Sequence, residues 1–149
     1  MDIIREASAD DVPAIVALLA DDPLGATRED AGDLSAYCRA FEAIAAQQGN
    51  MILVAEHAGR VVGCLQLTII PGLSRRGVTR ALIEGVRVSA DSRGLGIGER
   101  LISHAIRVAR EAGCGLMQLT SDNSRADAHR FYERLGFVAS HVGFKLTLD

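Results

Sequence analysis

The sequence lacks most features that assign a class at sight. No apolar run reaches the roughly 18 residues that a membrane-crossing helix needs, so no membrane partner is expected. The start, Met1-Asp2-Ile3-Ile4-Arg5, has neither the basic segment nor the long apolar stretch of a secretory signal, which leads us to expect a cytoplasmic protein. Neither sign of charge dominates: the formal net charge is −3, and Lys and Arg are scattered rather than striped. Nucleic-acid binding is therefore not expected. Three cysteines, Cys38, Cys64 and Cys114, stand far apart. They form no disulfide framework and no metal spacing, and read as core thiols in a reducing compartment. His57, His104, His129 and His141 also lack ligand spacing, so no metal is expected. No Ser/His/Asp or Cys/His set has supporting context, and there is no repeat or linker.

What is present fits one domain spanning residues 1–149, with 48% apolar and 23% charged residues. Residues 2–6 read as a first strand. Ser8-Ala9-Asp10-Asp11 reads as a helix start, with Val12, Ile15, Val16 and Leu19 as the buried stripe. Residues 21–33, broken by Pro and Gly, read as a mobile loop. A second helix is expected over Leu34 to Gln47, with Leu34, Cys38, Phe41, Ile44 and Ala45 on its inner side. Met51 to His57 and Arg60 to Ile70 read as strands joined by Ala58-Gly59, a hairpin signal. Residues 71–79 read as a solvated loop carrying Arg75 and Arg76, with the alternative that one of them meets an anionic part of a ligand. Leu82 to Val88 is a strand and Gly98 to about Ala112 a helix, buried at Ile97, Leu101, Ala105, Val108 and Ala112. A short strand, Leu116 to Ser121, follows. A helix from Ser124 to Leu135 then buries Ala128, Phe131, Tyr132 and Leu135 and is capped by Gly136. Residues 137–148 are expected to supply one or two last strands. The order implies an α/β (α+β) fold: a mixed, mostly antiparallel sheet of six to seven strands, with about four helices on both faces.

The most informative stretch is the turn Arg93-Gly94-Leu95-Gly96-Ile97-Gly98, between a strand and a helix. A helix start presents unpaired N–H groups and the positive end of the peptide dipoles, and glycines let the backbone approach a bulky anion. The turn is not a Walker loop, because Glu99 and Arg100 follow Gly98 instead of Lys-Ser/Thr. It is not a dinucleotide fingerprint, because the third glycine is replaced by Glu99 or Leu101, depending on the register. An ordinary tight αβ connection is the other reading at this point.

Arg93, Gly96 and Gly98 together resemble the coenzyme A pyrophosphate loop of the GNAT N-acetyltransferase superfamily. About 35 residues later, His129-Arg130-Phe131-Tyr132-Glu133-Arg134-Leu135-Gly136-Phe137 resembles the segment in which a GNAT helix ends in Phe-Tyr before Gly-Phe. Ile83 to Val88 is similar to the fourth strand of small bacterial members. With the element order, the resemblance covers nearly the whole chain. It departs at Arg125, where many members carry a cofactor-holding asparagine seven residues before the tyrosine; Arg125 either reaches a phosphate or is solvated.

The resemblance implies transfer of an acetyl group from acetyl-CoA to a primary amine by direct attack in a ternary complex, without a metal. A non-catalytic acyl-CoA sensor is the alternative. It implies a phosphate cradle of Arg93, Gly94, Leu95, Gly96, Ile97 and Gly98. It also implies pantetheine pairing along Val86, Arg87 and Val88, with Gly85 marking a bulge or close approach whose freed N–H polarises the thioester. Tyr132 would protonate the departing thiolate. Glu84 is the candidate base: strand alternation puts it on one face with Leu82, Val86 and Val88, where partial burial would raise its pKa. The competing reading is a structural glutamate paired with Arg80. The acceptor, a small molecule or peptide amine, is expected between the early helices, the 21–33 loop and the 71–79 loop. Asp21, Asp22, Glu29, Asp30 and Asp33 favour a cationic acceptor or simply decorate a solvated loop. A homodimer is expected by analogy with relatives.

Overall fold

The structure is a computed structural model that describes residues 2–149. Its described residues form two compact units: one runs to Gln118, the other is Leu119–Asp149.

A five-stranded sheet organises the first unit. Its strands are β1 (Asp2–Glu6), β2 (Asn50–His57), β3 (Arg60–Ile70), β4 (Arg80–Val88) and β5 (Leu116–Leu119), side by side in that order. The first three neighbouring pairs are antiparallel. The Ala58-Gly59 turn joins β2 to β3 with φ of 52° and 78°. Positive φ at both turn residues matches the right-handed twist of the flanking strands.

Helices cover both faces. Residues 63, 65 and 67 of β3 point one way and 64, 66 and 68 the other. A side chain at Gly63 would collide with Leu101 and Ile97, so α5 (Ile97–Glu111) lies on that face. Leu65, Leu67, Ile83, Leu101, Ile102 and Ala105 fill the layer between, each nearly inaccessible. On the opposite face α1 (Val12–Ala20) packs Ile15 and Leu18 against Val54 and Cys64. An ion-pair knot fixes the start of α1. Arg5 grips both oxygens of Asp11 at 2.8 and 2.9 Å and Glu56 at 3.1 Å, while the Ser8 N–H donates to Asp11 at 2.7 Å. The Arg5 hydrogen bonds hold the Asp11 carboxyl down at about 2.

Several expectations are corrected. The 21–33 segment contains a one-turn helix, α2 (Gly25–Arg28). Helix α3 is Ser35–Ala46; Tyr37, not Cys38, joins Leu34, Phe41 and Ile44 on its inner side, and Cys38 and Ala45 are exposed. In α5, Ala109 and Ile102 are buried and Ala112 is exposed. The 71–79 loop contains α4 (Ser74–Gly77), a single turn whose Arg75, Arg76 and Gly77 have positive φ; both arginines are exposed.

In the second unit, α6 (Ala126–Arg134) presents Ala128, Phe131 and Tyr132 as its less exposed side, and Gly136 follows its end with φ 102°. Residues 137–148 form no strand among the described residues, so five strands stand where six or seven were expected. Val142, Phe144, Leu146 and Leu148 alternate along this stretch as strand residues do. Here they are 79–93% exposed, and a strand without a ladder partner is not a strand.

Candidate active site

The glycine turn is built as its residue types predict. After β4, the Ser89 N–H donates to Val62 O at 2.8 Å and a 3-10 turn, Ala90–Ser92, turns the chain back. Gly96 then precedes α5 in the left-handed region, φ 77°, which a side chain would strain. Ile97 is buried and seats the helix start in the core, while Arg93, Gly94, Leu95 and Gly96 are exposed and Gly98 is half-buried. The first amides of α5 therefore open beside a solvent-facing turn, a geometry that could hold an anion. Arg100 braces the turn: it donates to Leu95 O at 3.2 Å and pairs with Asp2 of β1. Arg93 makes no ion pair among the described residues, leaving its guanidinium available to an anion.

The expected bulge lies at Gly85. Gln66 pairs with Glu84 and Cys64 with Arg87, so Gly85 and Val86 together face the single residue Leu65. Gly85 has φ 62°. Its carbonyl accepts from the Cys64 thiol at 3.6 Å, toward β3. In a trans peptide the N–H points opposite to the C=O, so the Val86 N–H is directed away from the Cys64 thiol.

That extra residue overturns the simple alternation. Leu82, Glu84 and Arg87 share the face of Thr68, Gln66 and Cys64, whereas Val88 shares the opposite face with Gly63. One inserted residue reverses every side chain after it. Glu84 is thus not on one face with Val88. It is exposed rather than partly buried, and Arg80 does not pair with it: Arg80 donates to Gln118 and Ser74 instead. Beside Glu84 lies a polar row that the sequence reading did not single out. Gln66 and Thr68 both donate to Asn50 Oδ1, at 3.0 and 3.2 Å. Its signal was present as two polar residues, 66 and 68, at period two within an otherwise apolar strand.

Arg87 was expected to serve the cofactor through its backbone. Its side chain, turned to the α1 face, lies 2.9 Å (Nε) from Asp22 Oδ2 and donates from Nη1 to Val86 O at 2.8 Å. The remaining acids of the 21–33 loop are mostly engaged locally. Asp30 accepts from the Gly32 N–H, Asp33 from Ser35, and Glu29 from the Tyr37 hydroxyl. These acids hold turns while keeping their negative charge, so both readings of the acidic loop stand. An open groove of about 800 Å³ runs along α1 past Asp21, Ala31, Val61 and Ser89; it touches the early helix and the 21–33 loop expected around the acceptor, but none of the expected catalytic or cofactor residues lines it.

In the second unit, Tyr132 is half-buried and packs edge-on against Phe131 and Phe137, at centroid distances of 5.2 and 5.8 Å. Arg125 immediately precedes α6. Asp122 Oδ1 accepts from Ser124, and His129 contacts the Asp122 carbonyl at 3.0 Å.

A family profile described as Acetyltransferase (GNAT) family matches residues 13–137. The chain belongs to this family. It is an acetyl-CoA-dependent N-acetyltransferase, in line with curated relatives across the family. This GNAT chain is 30% identical over 145 residues to aminoalkylphosphonate N-acetyltransferase of Salmonella typhimurium, covering 97% of this chain and 90% of that protein. It is 37% identical over 90 residues to glucosamine 6-phosphate N-acetyltransferase of Trypanosoma brucei brucei, covering 60% and 59%. Among solved structures it superposes on a transcriptional regulator from Bacillus halodurans C-125 with a TM-score of 0.96 and 46% identity, over 99% of this chain and all of that one. No helix among the described residues is long and apolar enough to cross a membrane. No cluster of His, Cys, Asp or Glu among them could hold a metal ion.

Proposed function

We propose that residues 1–149 act as one domain that acetylates a small primary amine bearing a phosphate or phosphonate. The bulge carries this reading: it breaks the β3–β4 register at Gly85 and Val86, and the Val86 N–H points opposite to the Gly85 carbonyl that the Cys64 thiol holds. The diphosphate of acetyl-CoA lies against the amides of Gly96, Ile97 and Gly98, with Arg93, Gly94 and Leu95 closing the cradle and Arg125 reaching a phosphate. The pantetheine arm pairs with backbone groups from Val86 through Arg87 to Val88. The Val86 N–H donates to the thioester oxygen as it gains charge; one such donor is typically worth about 2.7–4 kcal/mol.

The amine nitrogen attacks the thioester carbon. Glu84, open to water, takes its proton directly or through one water, the nitrogen–carbon bond forms, and the carbon–sulfur bond breaks. Tyr132 gives its proton to the departing thiolate. The acceptor class is supported by two relatives whose named substrates join an amine to a phosphorus oxyanion. Exposed Arg75 and Arg76, neither paired among the described residues, are available to that anion.

The test is calorimetric titration with acetyl-CoA, followed by thiol release and mass spectrometry with 2-aminoethylphosphonate, glucosamine 6-phosphate and spermidine. Binding below millimolar, with acetylation of the two phosphorus-bearing amines preferred, is the expected result. No heat at millimolar acetyl-CoA removes the cofactor placement. Preference for spermidine removes the acceptor class. Tyr132→Phe should lower kcat by about a hundredfold with little change in acetyl-CoA affinity; an unchanged kcat ends its role as acid.

A further inference from the structure

We propose that Arg87 and Asp22 form a positioning pair: they hold the Gly85–Val86 bulge in the orientation acyl transfer needs and tie it to the turn after α1. This rests on the acetyl-CoA reading above.

The argument starts from the inserted residue. Without the bulge, Arg87 would face α5. With it, Arg87 is carried to the α1 face, where Asp22 lies just past the helix end. Both side chains are largely out of solvent, at 18% and 10% exposure. Opposite charges so placed attract strongly, because little solvent screens them. The guanidinium does two jobs at once. Nη1 donates back to Val86 O at 2.8 Å, and Nε sits 2.9 Å from Asp22 Oδ2, out of line for a hydrogen bond.

Val86 is therefore flanked by two restrained peptides. The one before it is restrained by the Cys64 thiol on Gly85 O, and the one after it by Arg87 on Val86 O. The direction of the Val86 N–H follows from both.

Asp22 anchors this arrangement to a rigid point. Its Oδ1 accepts from the Gly25 N–H at 2.5 Å. Gly25 itself sits so close to α1 that a Cβ there would lie 1.8 Å from Leu19 O. The turn thus packs directly on the α1 backbone, and the carboxylate is tied to it. A lysine at position 87 could reach the carbonyl or the carboxylate, but its single nitrogen cannot reproduce a planar fork that addresses both. The pair acts through the backbone of Val86 and touches no reacting atom.

The experiment reads the thioester carbonyl stretch of bound [1-13C]acetyl-CoA by infrared difference spectroscopy, which needs no acceptor. In the wild-type protein the stretch should fall relative to free acetyl-CoA. In Arg87→Lys and Asp22→Asn the fall should shrink by at least about half while acetyl-CoA affinity stays within about threefold. The kcat with 2-aminoethylphosphonate should drop by at least about tenfold. Arg87→Gln is the stronger variant; should it fail to fold, the other two carry the test. Variants that bind acetyl-CoA with the wild-type stretch overturn the pair. So does a loss of stretch shift that tracks loss of affinity and thermal stability together, since that marks a merely structural tie. Wild-type protein that does not bind acetyl-CoA overturns the parent reading instead. Wild-type binding without any shift overturns the amide's role and the pair with it.

Discussion

Helix α1 is held at each end by an arginine–aspartate pair, and the two pairs differ. At its start, Arg5 meets both oxygens of Asp11 in line, adds Glu56, and Asp11 also takes the Ser8 N–H. Among the described residues, no buried side-chain polar atom there lacks a partner. At its end, Arg87 meets Asp22 through an Nε with no aligned acceptor, and turns another nitrogen onto its own strand. The first geometry is what stability alone would select. The second leaves bonding capacity unused in order to hold a backbone carbonyl beside the bulge. A difference in hydrogen-bond completeness thus separates a structural clamp from a positioning one, although both join the same helix to the same sheet.

The largest effect that can sharpen this contrast is thiol reactivity, because Cys64 touches the bulge. Burial pushes its thiol up to about 12, and Cys38 is exposed. Alkylation of Cys64 near pH 8 should be slower than that of Cys38 by a factor of about 10³. Asp22→Asn should raise the Cys64 rate by more than the global stability loss of the same variant accounts for, because the opening is local. Asp11→Ala should raise it by no more than its global loss. Peptide-resolved mass spectrometry with iodoacetamide checks both, and equal behaviour of the two variants would erase the distinction.

Next in size is the stability of the α1 start. Asp11→Ala strands the Ser8 N–H and leaves Arg5 with Glu56 alone among its carboxylates, and should cost about 2 kcal/mol in urea unfolding at pH 7. The kcat of what remains folded should be unchanged. A drop in kcat comparable to that of Asp22→Asn would make both ends of the helix part of one catalytic scaffold.

Acid pH tests the same clamp more gently. The Asp11 carboxyl titrates at about 2 in the folded chain, against an ordinary value of 3.8. A depressed carboxylate stabilises above the ordinary value and loses that contribution as pH falls through the folded one. About 2 kcal/mol should therefore disappear between pH 4 and 2 in the wild type. Asp11→Asn should flatten that part of the curve. An unchanged acid limb would mean that other carboxylates set it.

How much of this was legible beforehand follows from the range of each interaction. The glycine turn depends on residues adjacent in sequence, so Arg93, Gly96 and Gly98 displayed it directly. The bulge was half legible: Gly85 marked its place, but only pairing with β3 shows that the phase reverses, and so Glu84 and Val88 were put on one face. The Arg87–Asp22 pair spans 65 positions and depends on that reversal, which no local pattern carries. The last strands failed for the opposite reason. Alternation in 142–148 is a local signal, and a strand also needs a partner that local signals do not supply.

The smallest predicted effect is the one that can break the comparison outright. Asp11 and Asp22 bracket a nine-residue helix, which puts them about 14 Å apart along its axis. Their arginines differ: Arg5 lies on β1 and Arg87 on β4. Stability changes at sites so separated usually add within about 0.5 kcal/mol. The double variant Asp11→Ala/Asp22→Asn should therefore lose the sum of the two single losses. Its carbonyl stretch should match that of Asp22→Asn alone. Coupling well above 0.5 kcal/mol would show that α1 carries strain from one end to the other as a rigid rod. The clamp at Asp11 would then set the bulge geometry as surely as the one at Asp22, and completeness of hydrogen bonding would cease to tell the two roles apart.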